Sequence, residues 1–175
     1  MKETARLHSS YNPAGEAQRY IDSLALKKET EIYILIEPGM GYITACLRKE
    51  KPDARIIALH AGTTPAALLP ENEPDVMWAA DNKTGLREFL EQQIPDIEAE
   101  KIKIIEWRPG LAVYGAQYRN ILSETAEFVK QADANARTQN RFGRKWFRNF
   151  FRNLLSPARQ RLLSLSLCRD FFCCN

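Results

Sequence analysis

A chain of 175 residues suffices for one domain of ordinary size, and 45% apolar against 27% charged residues can build a buried core, which excludes a disordered tail. No run approaches the ~18–20 apolar residues of a membrane-spanning helix, and the opening MKETARLHSS has no apolar stretch of the secretory kind, so a soluble, cytoplasmic protein is expected. The formal net charge of +3 hides an asymmetry: residues 1–136 hold 16 Lys+Arg against 21 Asp+Glu, net −5, whereas 137–175 hold 9 basic residues against Asp170 alone, net +8.

After a polar start, Asn12 and Pro13 read as the N-cap and first position of a helix running to about Leu26, with Ala17, Tyr20, Ile21 and Leu24 on one face. Ile32–Ile36 is five consecutive apolar residues ended by Glu37-Pro38-Gly39, the pattern of a strand buried on both faces of a parallel sheet. Tyr42 to Lys49 makes a short helix stopped near Pro52, and Arg55–His60 a second strand, which completes a βαβ unit. Gly62 to Pro74 reads as loop, Asp75–Ala80 as a third strand, Gly85 to Gln93 as a helix, and Lys101–Trp107 as a fourth strand. In that fourth strand Ile102 and Ile104 alternate with lysines, which marks a sheet edge. Arg108-Pro109-Gly110 turns the chain into a long helix from Tyr114 to about Thr138, with Tyr118, Ile121, Leu122, Thr125, Phe128, Val129 and Ala132 inward.

The alternation predicts an α/β, Rossmann-like three-layer domain around a mostly parallel sheet of three to five strands. The expected organisation is a helical lead-in over 1–30, the α/β domain over 31–136, a basic aromatic helix over 137–156 and an atypical tail over 157–175.

The segment with the most chemical character is the turn Glu37-Pro38-Gly39-Met40-Gly41-Tyr42. A glycine turn between a buried strand and a helix is where an α/β sheet places its ligand crevice, and the helix N-terminus offers amides to an anion. Glu37, Pro38, Gly39, Gly41, Tyr42 and His60 are therefore the candidate ligand-binding residues. A dinucleotide fingerprint needs a third glycine where Thr44 stands and an acid where His60 ends the second strand, so a nicotinamide dinucleotide is not expected. S-adenosylmethionine is the closer enzymatic alternative, and a purely structural strand-to-helix turn is the bland one. No catalytic residue is assigned. His8 and His60 are the only histidines, and no His/Cys/Asp spacing forms a metal site; Cys168, Cys173 and Cys174 bring no fourth ligand. No G-x-S-x-G elbow and no phosphate-binding P-loop is present.

In the basic segment, counted from Phe142 at ~100° per residue, Trp146, Phe147, Phe150, Phe151, Leu154 and Leu155 share an arc of over half the circumference, roughly 0° to 220°, and Arg141, Arg144, Lys145, Arg148 and Arg152 fill roughly 200° to 300°. An arc so wide favours burial between two protein surfaces over lying on a lipid surface. Phe142, Trp146, Phe147, Phe150, Phe151 and Leu154 are thus expected to contact another domain or partner, and membrane association is not expected. Nor is nucleic-acid binding, because residues 1–136 supply no supporting basic patch.

His8-Ser9-Ser10-Tyr11-Asn12-Pro13-Ala14-Gly15-Glu16-Ala17 resembles the opening HS-x-Y-x-P-x-x-E-A motif of the motility accessory factor family, bacterial flagellin glycosyltransferases that share a central domain with an archaeal hydroxymethylpterin pyrophosphokinase. Pro38-Gly39-Met40-Gly41-Tyr42 is similar to that family's G-x-GY turn, Arg55–His60 to its second strand, and the segment from Asn140 to Asn149 to the helix leading out of its N-terminal domain. The likeness covers about residues 6–155. It implies the N-terminal portion of an enzyme that moves sialic-acid-like sugars from a cytidine-nucleotide donor to Ser/Thr of flagellin. In the family that chemistry belongs to a following domain with a Gly-Pro-Ser loop, and Gly-Pro-Ser does not occur here. The resemblance therefore implies a scaffold or partner-binding part, with a nucleotide or nucleotide-sugar as ligand of the intact family protein, and with the catalytic domain and flagellin as partners. The composition after Leu155 departs from the family pattern and is read as a truncation or frameshift product, or else as an oligomerising helix. The two alternatives to the family reading are a small S-adenosylmethionine-dependent methyltransferase-like protein and a non-enzymatic interaction module.

Overall fold

The apolar run Ile32–Ile36 forms strand β1, and all five of its side chains are buried. β1 can be buried on both faces because strands flank it on both edges and helices cover both sides. The computed structural model describes residues 6–63, 72–94 and 101–138, with Pro65, Leu68, Phe142 and Arg148. Around β1 the chain adds helix α1 (Pro13–Ser23), α2 (Tyr42–Glu50), β2 (Arg55–His60), β3 (Val76–Ala79), α3 (Leu86–Gln93), β4 (Ile102–Glu106) and α4 (Pro109–Tyr114). A further helix, α5, follows over 116–138.

The four strands run parallel in the order β3-β2-β1-β4. Ile36 faces Leu59 of β2 on one side and Glu106 of β4 on the other. Side chains alternate strictly across the sheet. Tyr33, Leu35, Ile56 and Ile105 join Ala17 and Ile21 of α1 and Ile43, Cys46 and Leu47 of α2. Ile32, Ile34, Ile36, Ile57 and Leu59 join Leu86, Phe89 and Leu90 of α3 and Tyr118, Ile121 and Phe128 of α5. The result is the expected three-layer α/β architecture, and each fully buried large side chain contributes about 1.5–3 kcal/mol. β4 is an edge strand as predicted: Ile102, Lys103 and Ile104 are only half-buried, and Lys101 and Lys103 reach Glu31 Oε1 (2.6 Å) and the Ala25 carbonyl (3.0 Å).

Two boundaries differ from the pattern reading. α1 ends at Ser23, because Leu24 turns to extended backbone while its N–H still bonds the Ile21 carbonyl. Arg108-Pro109-Gly110 does not simply turn the chain: Pro109 starts α4, and Gly115, at φ 52°, separates α4 from α5. Along α5, Tyr118, Ile121, Thr125, Phe128 and Ala132 are buried, and Leu122 and Val129 pack beside them, as the periodicity predicts.

The chain divides into two compact units, Met1–Asp133 and Ala134–Asn175, and the architecture above, with α5 as far as Asp133, is that of the first. In the second, residues 134–138, Phe142 and Arg148 are helical, and Phe142 is exposed. Trp146, Phe147, Phe150, Phe151 and Leu154, the other expected inter-domain contacts, lie outside the described residues, as does the tail from 157. No helix among the described residues is long and apolar enough to cross a membrane.

Candidate functional site

The chain returns from β3 to the far side of β1, so the strand order reverses between β1 and β4, the point where an α/β sheet opens its crevice. The segments leaving the C-terminal ends of β1, β2 and β4 bring Glu37–Tyr42, His60–Gly62 and Trp107–Gly110 to this edge of the sheet.

Glu37 holds the most constrained backbone in the crevice. It is a non-glycine residue at φ 53°, a conformation costing about 1–2 kcal/mol. Its N–H continues the sheet to the Leu59 carbonyl (2.7 Å), and its carboxylate accepts from the Ala61 N–H at Oε2 (2.6 Å). Nδ1 of His60 stands 3.3 Å from Oε1, and both side chains are buried. The candidate residues Glu37 and His60, 23 positions apart, therefore form one buried pair. Nε2 of His60 has no partner among the described residues. The flank of Glu37 lies on Gly110, where an added Cβ would come within 2.7 Å of Glu37 Cγ and 2.9 Å of Tyr118 Cε2. Only hydrogen fits there. Burial, with the charges of Glu106 and Glu37 adding to it, pushes the Tyr118 phenol far above its ordinary range, and burial with Glu37 raises Tyr114 as well. Both tyrosines therefore stay neutral.

The turn itself is built on left-handed glycines, Gly39 at φ 60° and Gly41 at φ 78°. Gly41 caps α2 from a left-handed conformation without a side-chain bond, and its N–H donates to the Pro38 carbonyl (3.2 Å). In a nucleotide-binding turn the missing Cβ atoms let a ligand approach the backbone. Here the chain's own atoms stand there. A Cβ on Gly39 would fall on the His8 ring, one on Gly41 on the Asn72 backbone carbonyl, and one on Gly62 within 2.7 Å of the Tyr114 hydroxyl. The Met40 N–H, the amide at the heart of the turn, donates to His8 Nε2 (3.1 Å), and Asn72 Nδ2 donates to the Met40 carbonyl (3.0 Å).

His8 is carried by a strap laid across the crevice. Trp107 Nε1 donates to the Leu7 carbonyl (2.6 Å), and the His8 ring stacks on Trp107 (centroids 5.5 Å, 29°) and meets Tyr42 edge-on (5.1 Å, 80°). The strap is tied in turn to α1. Ser9 N–H donates to Glu16 Oε2 (2.9 Å), Ser9 Oγ accepts from the amides of Tyr11 and Asn12 (3.3 and 3.4 Å), and Asn12 Oδ1 caps the helix through the Gly15 N–H (2.8 Å). Tyr20 of α1 donates to the Glu106 carbonyl (2.5 Å) and packs edge-on against Trp107. Burial lowers the His8 pKa below 6.5, against the opposing influence of Glu16, the Pro38 carbonyl and Glu37. A lowered pKa agrees with a neutral ring whose Nε2 lone pair accepts a hydrogen bond.

All six sequence-predicted residues, Glu37, Pro38, Gly39, Gly41, Tyr42 and His60, thus gather at one edge of the sheet. Pattern reading missed the groups that close it: His8, Asn72, Trp107, Tyr114 and Tyr118. The signal for Trp107 was its position directly after the fourth strand, on the far side of the order reversal. His8 stood in the opening motif, but nothing there pointed to the glycine turn, and for Asn72 no local signal existed. Among the described residues no group of three His, Cys, Asp or Glu side chains is arranged to hold a metal. A cavity of roughly 430 Å³ lies elsewhere, beside the start of β3 between Leu68, Glu73, Val76 and Met77. Asp75 there is already engaged by the Ile56 N–H (2.6 Å) and Arg48 (2.8 Å). Comparison with known proteins finds no family model, no curated protein and no solved structure that matches this chain.

Proposed function

We propose that this chain acts as the N-terminal, partner-binding scaffold of a motility accessory factor-like flagellin glycosyltransferase, with its nucleotide crevice stopped by its own strap. The observation that carries this reading is that the opening motif has one coherent task. His8 fills the space over Gly39, Ser9 folds the turn, Pro13 occupies the first helical position, Glu16 closes back on Ser9, and Ala17 packs fully buried under the sheet. A motif spent on plugging and fastening supports a structural part rather than a catalytic one. Tyr11 is the exception. Its side chain is 96% exposed on a backbone held by Ser9, which suits a contact with a partner.

In this reading the nucleotide-sugar belongs to a domain with the Gly-Pro-Ser loop, and flagellin is the candidate partner of the face around Tyr11. Calorimetry on the full chain tests the first half. Neither a cytidine sugar nucleotide nor S-adenosylmethionine should bind at micromolar concentration; micromolar binding of S-adenosylmethionine would overturn the scaffold in favour of a methyltransferase. Capture by immobilised flagellin tests the second half. The full chain should be retained and Tyr11→Ala retained less; equal retention of both removes Tyr11 from the interface, and retention of neither removes flagellin.

A further inference from the structure

We propose that His8 is the pin of a pH-gated latch: as a neutral ring it holds the arm Arg6–His8 over the Gly39–Gly41 turn, and its protonation releases the arm and uncovers the N-terminal end of α2. This follows from the contacts of His8 alone and does not depend on the family reading.

The bond that closes the latch uses a lone pair. Met40 N–H donates to His8 Nε2, and a proton on Nε2 would set two donors against each other. Because Nε2 accepts, the neutral ring carries its proton on Nδ1, which is buried with no partner among the described residues; a second proton can go only to Nε2, where the Met40 N–H already points. The groups facing the ring come from every element around it. α1 presents Glu16, which already accepts from Ser9; the turn after β1 presents Glu37, itself bonded to Ala61, and the Pro38 carbonyl; α2 presents the Tyr42 ring, and the end of β4 the neutral Trp107 ring. Burial outweighs the two carboxylates and the carbonyl, and the closed-state pKa falls below 6.5.

The sign follows directly. The open arm, with an ordinary imidazole in water, binds a proton more readily than the closed one. The closed state therefore keeps its full advantage above about pH 6.5 and loses it as pH falls from there toward the depressed value, about tenfold in the opening equilibrium per unit of separation. The hinge is defined as well. Ser9 and Asn12 remain fastened to α1 through Glu16 and the helix cap, so only the arm before Ser9 moves. Its second tether, the Trp107 indole N–H on the Leu7 carbonyl, leaves with it and supplies a reporter.

The test is amide and indole hydrogen exchange by NMR on the full isotope-labelled chain between about pH 7.5 and about pH 5, corrected for intrinsic exchange, with the His8 ring titrated in the same samples. Protection of the Met40 amide and the Trp107 indole should be lost together, in step with His8 protonation, while the amides of β1 keep theirs. In His8→Gln, whose oxygen accepts without titrating, protection should not depend on pH; in His60→Gln the response should persist. The latch is overturned if Met40 protection is unchanged while His8 titrates, if β1 loses protection in parallel, if the response survives in His8→Gln, or if it vanishes in His60→Gln. Should His8→Gln fail to fold, coincidence of the two wild-type midpoints decides.

Discussion

Gly39→Ala is the sharpest probe of the plugged crevice, because its cost divides into two parts that a second substitution separates. At φ 60° a Cβ costs about 1 kcal/mol of backbone strain wherever the neighbours stand. The same Cβ also falls on the His8 ring, with Cδ2 at 3.0 Å and Cε1 at 3.2 Å, and the ring has to leave. Leaving forfeits the Met40 hydrogen bond, about 1 kcal/mol, and the contacts with Trp107 and Tyr42, about 0.5–1.5 kcal/mol. Gly39→Ala should therefore destabilise by about 2.5–3.5 kcal/mol in the wild-type background, and by only about 1 kcal/mol in His8→Ala, where the space is already vacant. Urea unfolding of the four proteins in this cycle measures the coupling, expected at about 1.5–2.5 kcal/mol. Costs that add to within about 0.5 kcal/mol would refute the placement of His8 on the glycine turn, and with it the strap.

Asn12→Ala removes the cap on α1 and should cost about 1 kcal/mol, read as a shift of the urea midpoint without a change of slope. Burial would raise the Asp75 carboxyl, but the Ile56 N–H and Arg48 outweigh it and hold it below 3.8; its contribution is complete above that value and disappears as pH falls through the lowered one, so acid unfolding of Asp75→Asn should show a shallower pH dependence in that range. Burial also pushes the Cys46 thiol above its ordinary pKa, so alkylation followed by mass spectrometry should leave Cys46 unmodified in the folded chain at neutral pH and modified in denaturant. Gly110→Ala, with a Cβ pressed between Glu37 and Tyr118, should destabilise by about 1–3 kcal/mol in thermal unfolding.

Most strands and helices of this protein are local facts that the sequence alone determined, α4 at Pro109–Tyr114 being the exception. An unbroken apolar run is stable only where both faces are covered, so Ile32–Ile36 and Arg55–His60 announced a parallel sheet, and the 3.6-residue spacing from Tyr118 to Ala132 announced the inward face of α5. Glycines between strand and helix likewise announced a tight turn, and the structure adds that Gly39 and Gly41 both take left-handed backbone there. Tertiary structure alone decided what stands against that turn. His8 meets Met40 across 32 positions, Asn72 meets it from the other side across another 32, and Leu7 meets Trp107 across 100. None of these pairs leaves a periodic trace, because side-chain periodicity records which face a residue presents and not which distant residue fills it. A glycine is equally required whether the space beside it holds a ligand or an imidazole from the same chain. That choice was made by the chain's passage across the C-terminal edge of the sheet.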